Sequence, residues 1–277
     1  MLEFGGVHFD YGYGEGGAIN GVSFKIGRGE FVALMGENGA GKSTLCRLCN
    51  GLLKPSSGRV TVCGKDTSRA RTSELARHVG FLFQNPDRQM CKNTVREEIE
   101  LGLEYTVSDP AERAARRDAM LKMFSLDGGR EPFGLSRGER QKVALASVLA
   151  PEPEILILDE PTTGLDYREC VTIMEIISKL NAAGTTVLMV SHDMEVAGDY
   201  AARALILSGG KLAGDGGVRE MMRDARVMES ASLLPAQIPA LAARVADLGA
   251  EFGAAFTIGD MADAVGSARA AGRERVS

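Results

Sequence analysis

Eight consecutive residues, Gly36-Glu37-Asn38-Gly39-Ala40-Gly41-Lys42-Ser43, have the spacing GxxxxGK[ST]. Glycines so spaced let the main chain curl until successive N–H groups point inward at an anion. A helix starting there adds the positive end of its dipole. The flanks supply that context. Phe31-Val32-Ala33-Leu34-Met35 is a continuous apolar run typical of a strand buried on both faces, and Ser43 to Leu53 has a helical pattern. Lys42 is then placed to reach the β- and γ-phosphates of a nucleoside triphosphate, and Ser43 to offer its hydroxyl to Mg2+. A glycine turn that merely joins strand to helix would need neither side chain.

A second element is acidic. Ile155-Leu156-Ile157-Leu158 reads as a buried strand that delivers Asp159 and Glu160 at its C-terminal end, where ligands bind in open α/β sheets. Asp159 is placed to hold Mg2+ through its water shell. Glu160, one residue further out, is placed to polarise an attacking water.

These residues need a scaffold, and the chain has one to offer. It has 277 residues, of which 44% are hydrophobic and 25% charged, so a sizeable core can be buried. Ile19, Val22, Phe24 and Ile26 alternate as β structure, and Arg59–Cys63, Val79–Phe83, Thr185–Val190 and Ala204–Leu207 read as further strands. From about Thr94 to Leu149 the pattern is helical. Asp109-Pro110-Ala111-Glu112 predicts a helix start with a capping box, and Ala111, Ala115, Ala119 and Met123 recur every four residues on one face. A helix from about Tyr167 to Ala183 separates two strands, so parallel βαβ units are expected, with the helical middle inserted between two halves of one sheet. Beyond Asp215 the composition shifts to Ala, Met and Arg, with Pro235 and Pro239 as breaks and a short helical turn at Gly259–Ala268.

A formal net charge of −5 argues against a broad nucleic-acid footprint. No apolar run approaches the roughly 20 residues that span a bilayer, and the first residues lack the pattern of a secretory signal. A soluble intracellular chain is expected, with any membrane role exerted through a partner. Five cysteines and three histidines give little metal potential; Cys46 and Cys49 form a CxxC on a helical face, where buried free thiols are expected, and Cys63, Cys91 and Cys170 are scattered.

The residues between the two phosphate-site elements resemble those of the ABC-type ATPases. Leu135-Ser136-Arg137-Gly138-Glu139-Arg140-Gln141 looks like the LSGGQ signature and ends 18 residues (159 − 141) before Asp159. Gln84 follows a strand as the Q-loop glutamine does, Thr163-Gly164-Leu165-Asp166 resembles the D-loop, and His192 follows a strand as the switch histidine does. Tyr11 resembles the aromatic residue that stacks on adenine, although Phe9 and Tyr13 flank it and either could be that ring. The resemblance covers about residues 4 to 215. It implies an α/β fold: a P-loop NTPase (RecA-like) core with an N-terminal antiparallel β subdomain, an inserted α-helical subdomain and a small C-terminal extension. The implied boundaries are 1–215 for the ATPase domain, with the insert at about 86–150, and 216–277 for the extension.

Carried over residue by residue, the resemblance makes Glu160, His192 and Gln84 catalytic. It assigns Tyr11, Asn38, Gly39, Ala40, Gly41, Lys42, Ser43, Thr44, Ser136, Gly138 and Asp166 to ATP, and Ser43, Gln84 and Asp159 to Mg2+. Ser136 as the N-cap of a helix would cradle the γ-phosphate of ATP held by a second ATPase subunit, identical or paralogous, in a head-to-tail dimer. Arg137 and Glu139 depart from the signature. Ser136 with Glu139 keeps a capping box, and Arg137 is expected to offset the carboxylate; a degenerate half-site in an asymmetric pair is the competing reading.

Gln84-Asn85-Pro86-Asp87-Arg88-Gln89, with Thr94–Ile99, Gly102-Leu103-Glu104 and Leu234-Pro235-Ala236-Gln237-Ile238, looks like the energy-coupling-factor (ECF) importers of metal ions and vitamins. That similarity implies a peripheral subunit on the cytoplasmic face of the membrane. Its partners would be an integral membrane coupling subunit, docked in a groove beside Gln84–Met90, and a membrane-embedded substrate-capture subunit, with no nucleic acid. Other transporter classes share the cassette. A soluble ABC ATPase acting on nucleic acid or ribosomes, and a nucleotide-gated switch that barely hydrolyses ATP, are the alternatives from other classes.

Overall fold

In a computed structural model, which describes residues 1–12, 17–234 and 236–274, the chain begins with two strands, β1 (Leu2–Phe9) and β2 (Ile19–Ile26). Their buried and exposed residues alternate, as expected for a sheet with one face on the core. They pair antiparallel with each other and with β4 (Ser57–Val62) and β5 (Lys65–Asp66), in the order β2-β1-β4-β5. Tyr13 lies outside the described residues, as does Pro235.

The second sheet has six strands. β3 (Phe31–Gly36), β6 (Val79–Leu82), β7 (Ile155–Asp159), β8 (Thr186–Val190) and β9 (Arg203–Ser208) run parallel, and β10 (Lys211–Gly217) closes one edge antiparallel, giving β10-β9-β3-β8-β7-β6. Every residue of β3, β7 and β8 is buried. Their unbroken apolar runs follow from having both sheet faces covered. Val32, Leu34, Ile155 and Ile157 face a core shared with the antiparallel sheet and α1 (Lys42–Cys49); Ala33, Met35, Leu156 and Leu158 face the helices on the other side.

Those helices include α3 (Val95–Thr106), α5 (Arg137–Leu149) and α6 (Tyr167–Ala182), which contribute Ile99, Leu103, Val143, Leu145, Ile173 and Ile177 to the core. The short α2 (Thr72–Leu75) precedes β6, and α4 (Pro110–Met123) lies between α3 and α5. Strands β6 and β7 are neighbours although α3, α4 and α5 separate them in sequence, so the helical middle is an insertion into one sheet. After β8 come α7 (Met194–Tyr200), α8 (Val218–Arg223), α9 (Ala225–Ser230), α10 (Gln237–Val245), α11 (Ala250–Ala254) and α12 (Ile258–Glu274). Phe256 is buried against the main core, where a Cβ at Gly198 of α7 would come 2.8 Å from its ring. No helix among the described residues is long and apolar enough to cross a membrane.

Several local expectations are corrected. Helix α1 ends at Cys49, four residues before Leu53; Cys46 and Cys49 are buried as expected, and burial pushes both thiols up. Asp109 caps α4 by accepting from Ala111 N at 3.0 Å, but Glu112 closes no capping box; it pairs with Arg116 one turn on, at 2.7 Å. The alanine face of α4 is its solvent face: Ala111, Ala115, Ala119 and Met123 are all exposed, while Met120 and Leu121 pack on the core. Alanine recurrence reports helix propensity as readily as burial. Gly259–Ala268 belongs to the 17-residue helix α12 rather than to a short turn.

The insert is anchored by a buried acid. Glu98, 2% exposed, accepts from Cys91 N and Lys92 N at 2.9 and 2.8 Å, fixing the loop that leads from the Gln84 segment into α3. Glu98→Ala should lower the unfolding free energy in urea by about 2 kcal/mol, because two amides lose a charged acceptor. Glu98→Gln, which keeps an acceptor oxygen, should lose less.

Candidate active site

The loop between β3 and α1 has the backbone its glycines permit. Gly36, Gly39 and Gly41 have φ of +144°, +86° and +103°. A Cβ at Gly36 would come 2.2 Å from Leu207 O, and one at Gly41 2.5 Å from Ala18 O, so neither position admits a side chain. Asn38 and Gly39 are exposed at the tip, Ala40 is buried, and Gly41 is the N-cap of α1. Lys42 Nζ donates to Gly36 O and Glu37 O at 2.7 and 2.8 Å, which sets the ammonium inside the curl with a third donor to spare. Burial lowers its pKa, against the opposing pull of Glu160 and Asp159.

Tyr11 OH lies 3.0 Å from Thr44 Oγ1, so the ring stands beside the first turn of α1 and is 44% exposed. Phe9 meets it edge-on from within the core and is buried, which leaves Tyr11 the accessible ring of the two.

Strand β7 delivers its carboxylates to the same place. Asp159 is buried; burial raises its pKa, the nearby Ser43 hydroxyl opposes that rise, and the Glu160 charge adds to it. Two hard oxygen donors from separate elements thus meet beside Lys42, a set suited to Mg2+. Glu160 adopts φ +53°, a left-handed conformation that costs a non-glycine residue on the order of 1 kcal/mol. Three side chains hold it there. Gln84 Nε2 and Thr163 Oγ1 donate to Oε2 at 2.8 and 2.9 Å, and His192 Nε2 lies 2.9 Å from Oε1. Gln84, also expected on the metal, thus stands in the same cluster as a donor to Glu160. Thr163 is a participant that the sequence analysis counted only as part of the D-loop; its position three residues after Glu160, across a tight turn, is the signal that finds it.

Ser136, Gly138 and Asp166 form a second group, which no described hydrogen bond joins to the phosphate loop. Ser136 is the N-cap of α5, and its capping box with Glu139 is closed in both directions at 3.3 and 2.8 Å. Asp166 caps α6 the same way with Glu169. The two helix starts abut: a Cβ on Gly138 would come 2.0 Å from the Glu169 carboxylate. Gln141, buried, donates to Pro161 O at 3.0 Å and ties α5 to the residue after Glu160.

Arg137 is not the direct ion-pair partner of Glu139 among the described residues. Glu139 pairs with Arg130 at 2.8 Å, and its carboxyl is held below the ordinary value chiefly by hydrogen bonds from Ser136. Arg137 lies over Gly164, where a Cβ would come 2.6 Å from its Nε. Arg130 precedes the signature by a turn that only the fold brings back, so no local pattern marks it as the partner of Glu139.

Comparison with known proteins agrees with this geometry. The ABC transporter family profile matches residues 19–163. The energy-coupling factor transporter ATP-binding protein EcfA of Methanothermobacter thermautotrophicus is 40% identical over 238 residues, covering 84% of this chain and 76% of that protein. Among solved structures, CbiO1 of Clostridium perfringens, part of the ABC transporter complex cbiONQ, aligns with a TM-score of 0.74 at 30% identity, covering 89% of this chain and 97% of that one. The cassette MJ0796, in a dimeric post-hydrolysis state bound to ADP and phosphate, aligns with a TM-score of 0.73 at 33% identity, covering 79% and 99%. The chain spans less than half the length of the first curated relatives it matches, 37% to 42% of each. With the phosphate loop, the β7 carboxylates and the capped signature helix all in the family's order, the chain belongs to the ABC transporter family and carries its ATPase domain.

Proposed function

We propose that this chain is the ATP-hydrolysing subunit of an ECF-type importer, peripheral to the cytoplasmic face of the membrane and working as a head-to-tail pair with an identical or paralogous cassette. The observation that carries the reading is the Glu160 carboxylate, fixed by Gln84, Thr163 and His192 at the end of a buried strand, next to Lys42. The main-chain amides of residues 39–43 and the Lys42 ammonium bind the β- and γ-phosphates, with Asn38, Ala40 and Thr44 shaping the loop, and Tyr11 offers its ring to the adenine. Ser43, Asp159 and Gln84 would hold Mg2+, which would supply positive charge against the triphosphate.

Glu160 accepts a hydrogen bond from the attacking water and aims it. His192 and Thr163 keep the carboxylate in that orientation, and Gln84 links it to the segment that leads into the insert. Ser136 and Gly138, with Asp166 behind them, present the start of α5 to the nucleotide of the mate. That these residues share no described hydrogen bond with their own phosphate loop is what a site completed in trans requires.

The ECF assignment draws on the likeness to EcfA and CbiO1 and on the Gln84–Gln89 run. On this reading residues 1–215 are the ATPase unit, with the insert at about 86–150, and 216–277 an extension. A transmembrane coupling subunit would dock on the insert. Open grooves of about 720 and 550 Å³ lie between the core and the insert, lined by Arg77, Tyr105, Thr106 and Pro151. In the neighbouring Gln84–Met90 segment Gln84, Asn85, Asp87 and Arg88 are exposed, while Gln89 turns inward to Ala144 O and Ser147 and Met90 is buried. The docking face proposed beside that segment would extend to Tyr105, which is 74% exposed. A substrate-capture subunit would complete the importer, and closing the ATP-bound pair would move the insert and its docked partner together.

Glu160→Gln should keep ATP binding, trap an ATP-dependent dimer visible by sedimentation, and lose at least ~100-fold in phosphate release. Hydrolysis at the original rate in that variant places the water-orienting group elsewhere.

Because burial raises the Asp159 pKa above its unfolded value, the native nucleotide-free chain binds more protons there than the unfolded chain does. Its contribution to stability is fully present below the unfolded value and declines as pH rises through the folded one. Asp159→Asn should consequently raise the thermal midpoint of the nucleotide-free protein at neutral pH while abolishing Mg-dependent turnover.

Tyr105→Asp should leave basal hydrolysis unchanged but remove co-purification with a coupling subunit expressed alongside it.

A further inference from the structure

Glu154 immediately precedes β7, while Asp159 ends it, so the two lie about 16 Å apart along an extended strand. At the Glu154 end, three side chains of different chemistry converge from elements distant in sequence. Cys63 occupies the turn between β4 and β5, His78 lies between α2 and β6, and one ligand atom from each of Cys63, His78 and Glu154 lies within 4.8 Å of the others. His78 Nδ1 is 2.6 Å from Glu154 Oε1, and Cys63 Sγ is 3.9 Å from the thioether sulfur of Met1.

Main-chain hydrogen bonds fix every contributor. Ile155 N donates to His78 O at 3.0 Å, Thr186 N to Glu154 O at 3.0 Å, and Cys63 N to Met1 O at 2.8 Å. The group is reachable from solvent, with the His78 and Glu154 side chains 29% and 42% exposed. Among the described residues it is the one set of three potential ligands that meets this way.

We propose that Cys63, His78 and Glu154 form a binding site for a zinc-class divalent ion, which clasps the antiparallel sheet to the parallel sheet at the end remote from the nucleotide. Thiolate, imidazole and carboxylate together are a borderline-soft donor set that favours zinc over Mg2+, and three protein ligands leave a fourth tetrahedral position for water. Metal–ligand bonds of 2.0–2.3 Å imply ligand separations of about 3.3–3.8 Å. The His78–Glu154 pair, 2.6 Å apart, therefore opens by about 1 Å, and the sulfur, within 4.8 Å of both, is close enough to join by side-chain rotation.

Burial, helped by the Glu154 charge, pushes the Cys63 thiol up against the opposing Met1 amino group, Arg28 and Lys65. It is protonated at neutral pH, and the ion must displace that proton to the solvent as the Cys63–metal bond forms. Because the ligands come from both sheets, the ion binds the folded chain and not the unfolded one, and so stabilises it.

The test is titration of Co2+ into the full chain after chelator stripping, in a non-thiol reductant. One equivalent should give a sulfur-to-cobalt charge-transfer band that is lost in Cys63→Ser and His78→Asn and retained in Cys91→Ser and Cys170→Ser. Zn2+ at 100 times its dissociation constant should raise the thermal midpoint of the wild-type chain by roughly 5 °C, with no rise in Cys63→Ser. The metal-free midpoints and ATP hydrolysis of the variants report independently that they are folded. No band and no thermal shift in the wild type overturns the proposal, as does a band that survives in a folded Cys63→Ser protein.

Discussion

The nucleotide site depends on keeping two side chains, Lys42 and Asp159, in a place that disfavours their charges. Lys42, Asp159 and Glu160 meet where β3 and β7 end, with Asp159 only 7% and Lys42 6% exposed. Opposite charges about 4 Å apart attract by roughly 4 kcal/mol at an effective dielectric of about 20. Withdrawing each ion from water costs several kcal/mol. The directions of the shifts show which effect dominates: burial takes Lys42 down and Asp159 up despite their attraction. Such a site gains by receiving an anion and a cation together, which is what the proposed Mg-ATP would bring. The same feature makes the site a local weakness of the nucleotide-free fold.

The rest of the molecule transmits the position of that site. Gln84 and Glu160 are 76 residues apart, and their hydrogen bond joins the sheet to the segment entering the helical insert. Gln141 and Pro161 make a second junction between α5 and the loop after β7. Asp87 and Arg140 pair at 2.9 Å, closing a ring between the Gln84 segment and the signature helix. Glu160 is thereby linked to both ends of the insert. The capping box on Ser136 fixes the start of α5, and the Arg130–Glu139 pair balances a carboxylate that the departure from the signature introduced.

Much of this was legible in the sequence, for a reason that differs from element to element. The loop at 36–43 is legible because its backbone conformation excludes side chains at Gly36 and Gly41, so the residue types are dictated locally. β7 is legible because burial on both faces leaves only apolar residues until the carboxylates begin. Capping at Ser136 needs only four consecutive residues. The failures are non-local. The alanine row of α4 has the right period for a buried face, yet which face a helix turns inward is settled by its neighbours. Arg130 as the partner of Glu139, and Thr163 as a support of Glu160, are defined by turns that bring back residues outside any motif. Cys63, His78 and Glu154 are scattered along the chain and become neighbours only when two sheets are laid together.

Strand β7 gives these observations a common frame. Its C-terminal end carries the acids that face the nucleotide; its N-terminal end is flanked by Glu154, where the antiparallel sheet touches the parallel one. A fully buried strand, paired on both sides with β6 and β8, has no freedom to shift alone. Tyr11, which stands over α1, belongs to the segment between β1 and β2 of the antiparallel sheet, whereas Asp159 and Glu160 belong to the parallel one. With Tyr11 proposed for the base and the loop at 36–43 for the phosphates, the spacing between those two parts would depend on how firmly the two sheets are joined. A contact that fixed that junction from the far side would then bear on nucleotide geometry without touching the nucleotide, and the Cys63–His78–Glu154 cluster lies at that junction.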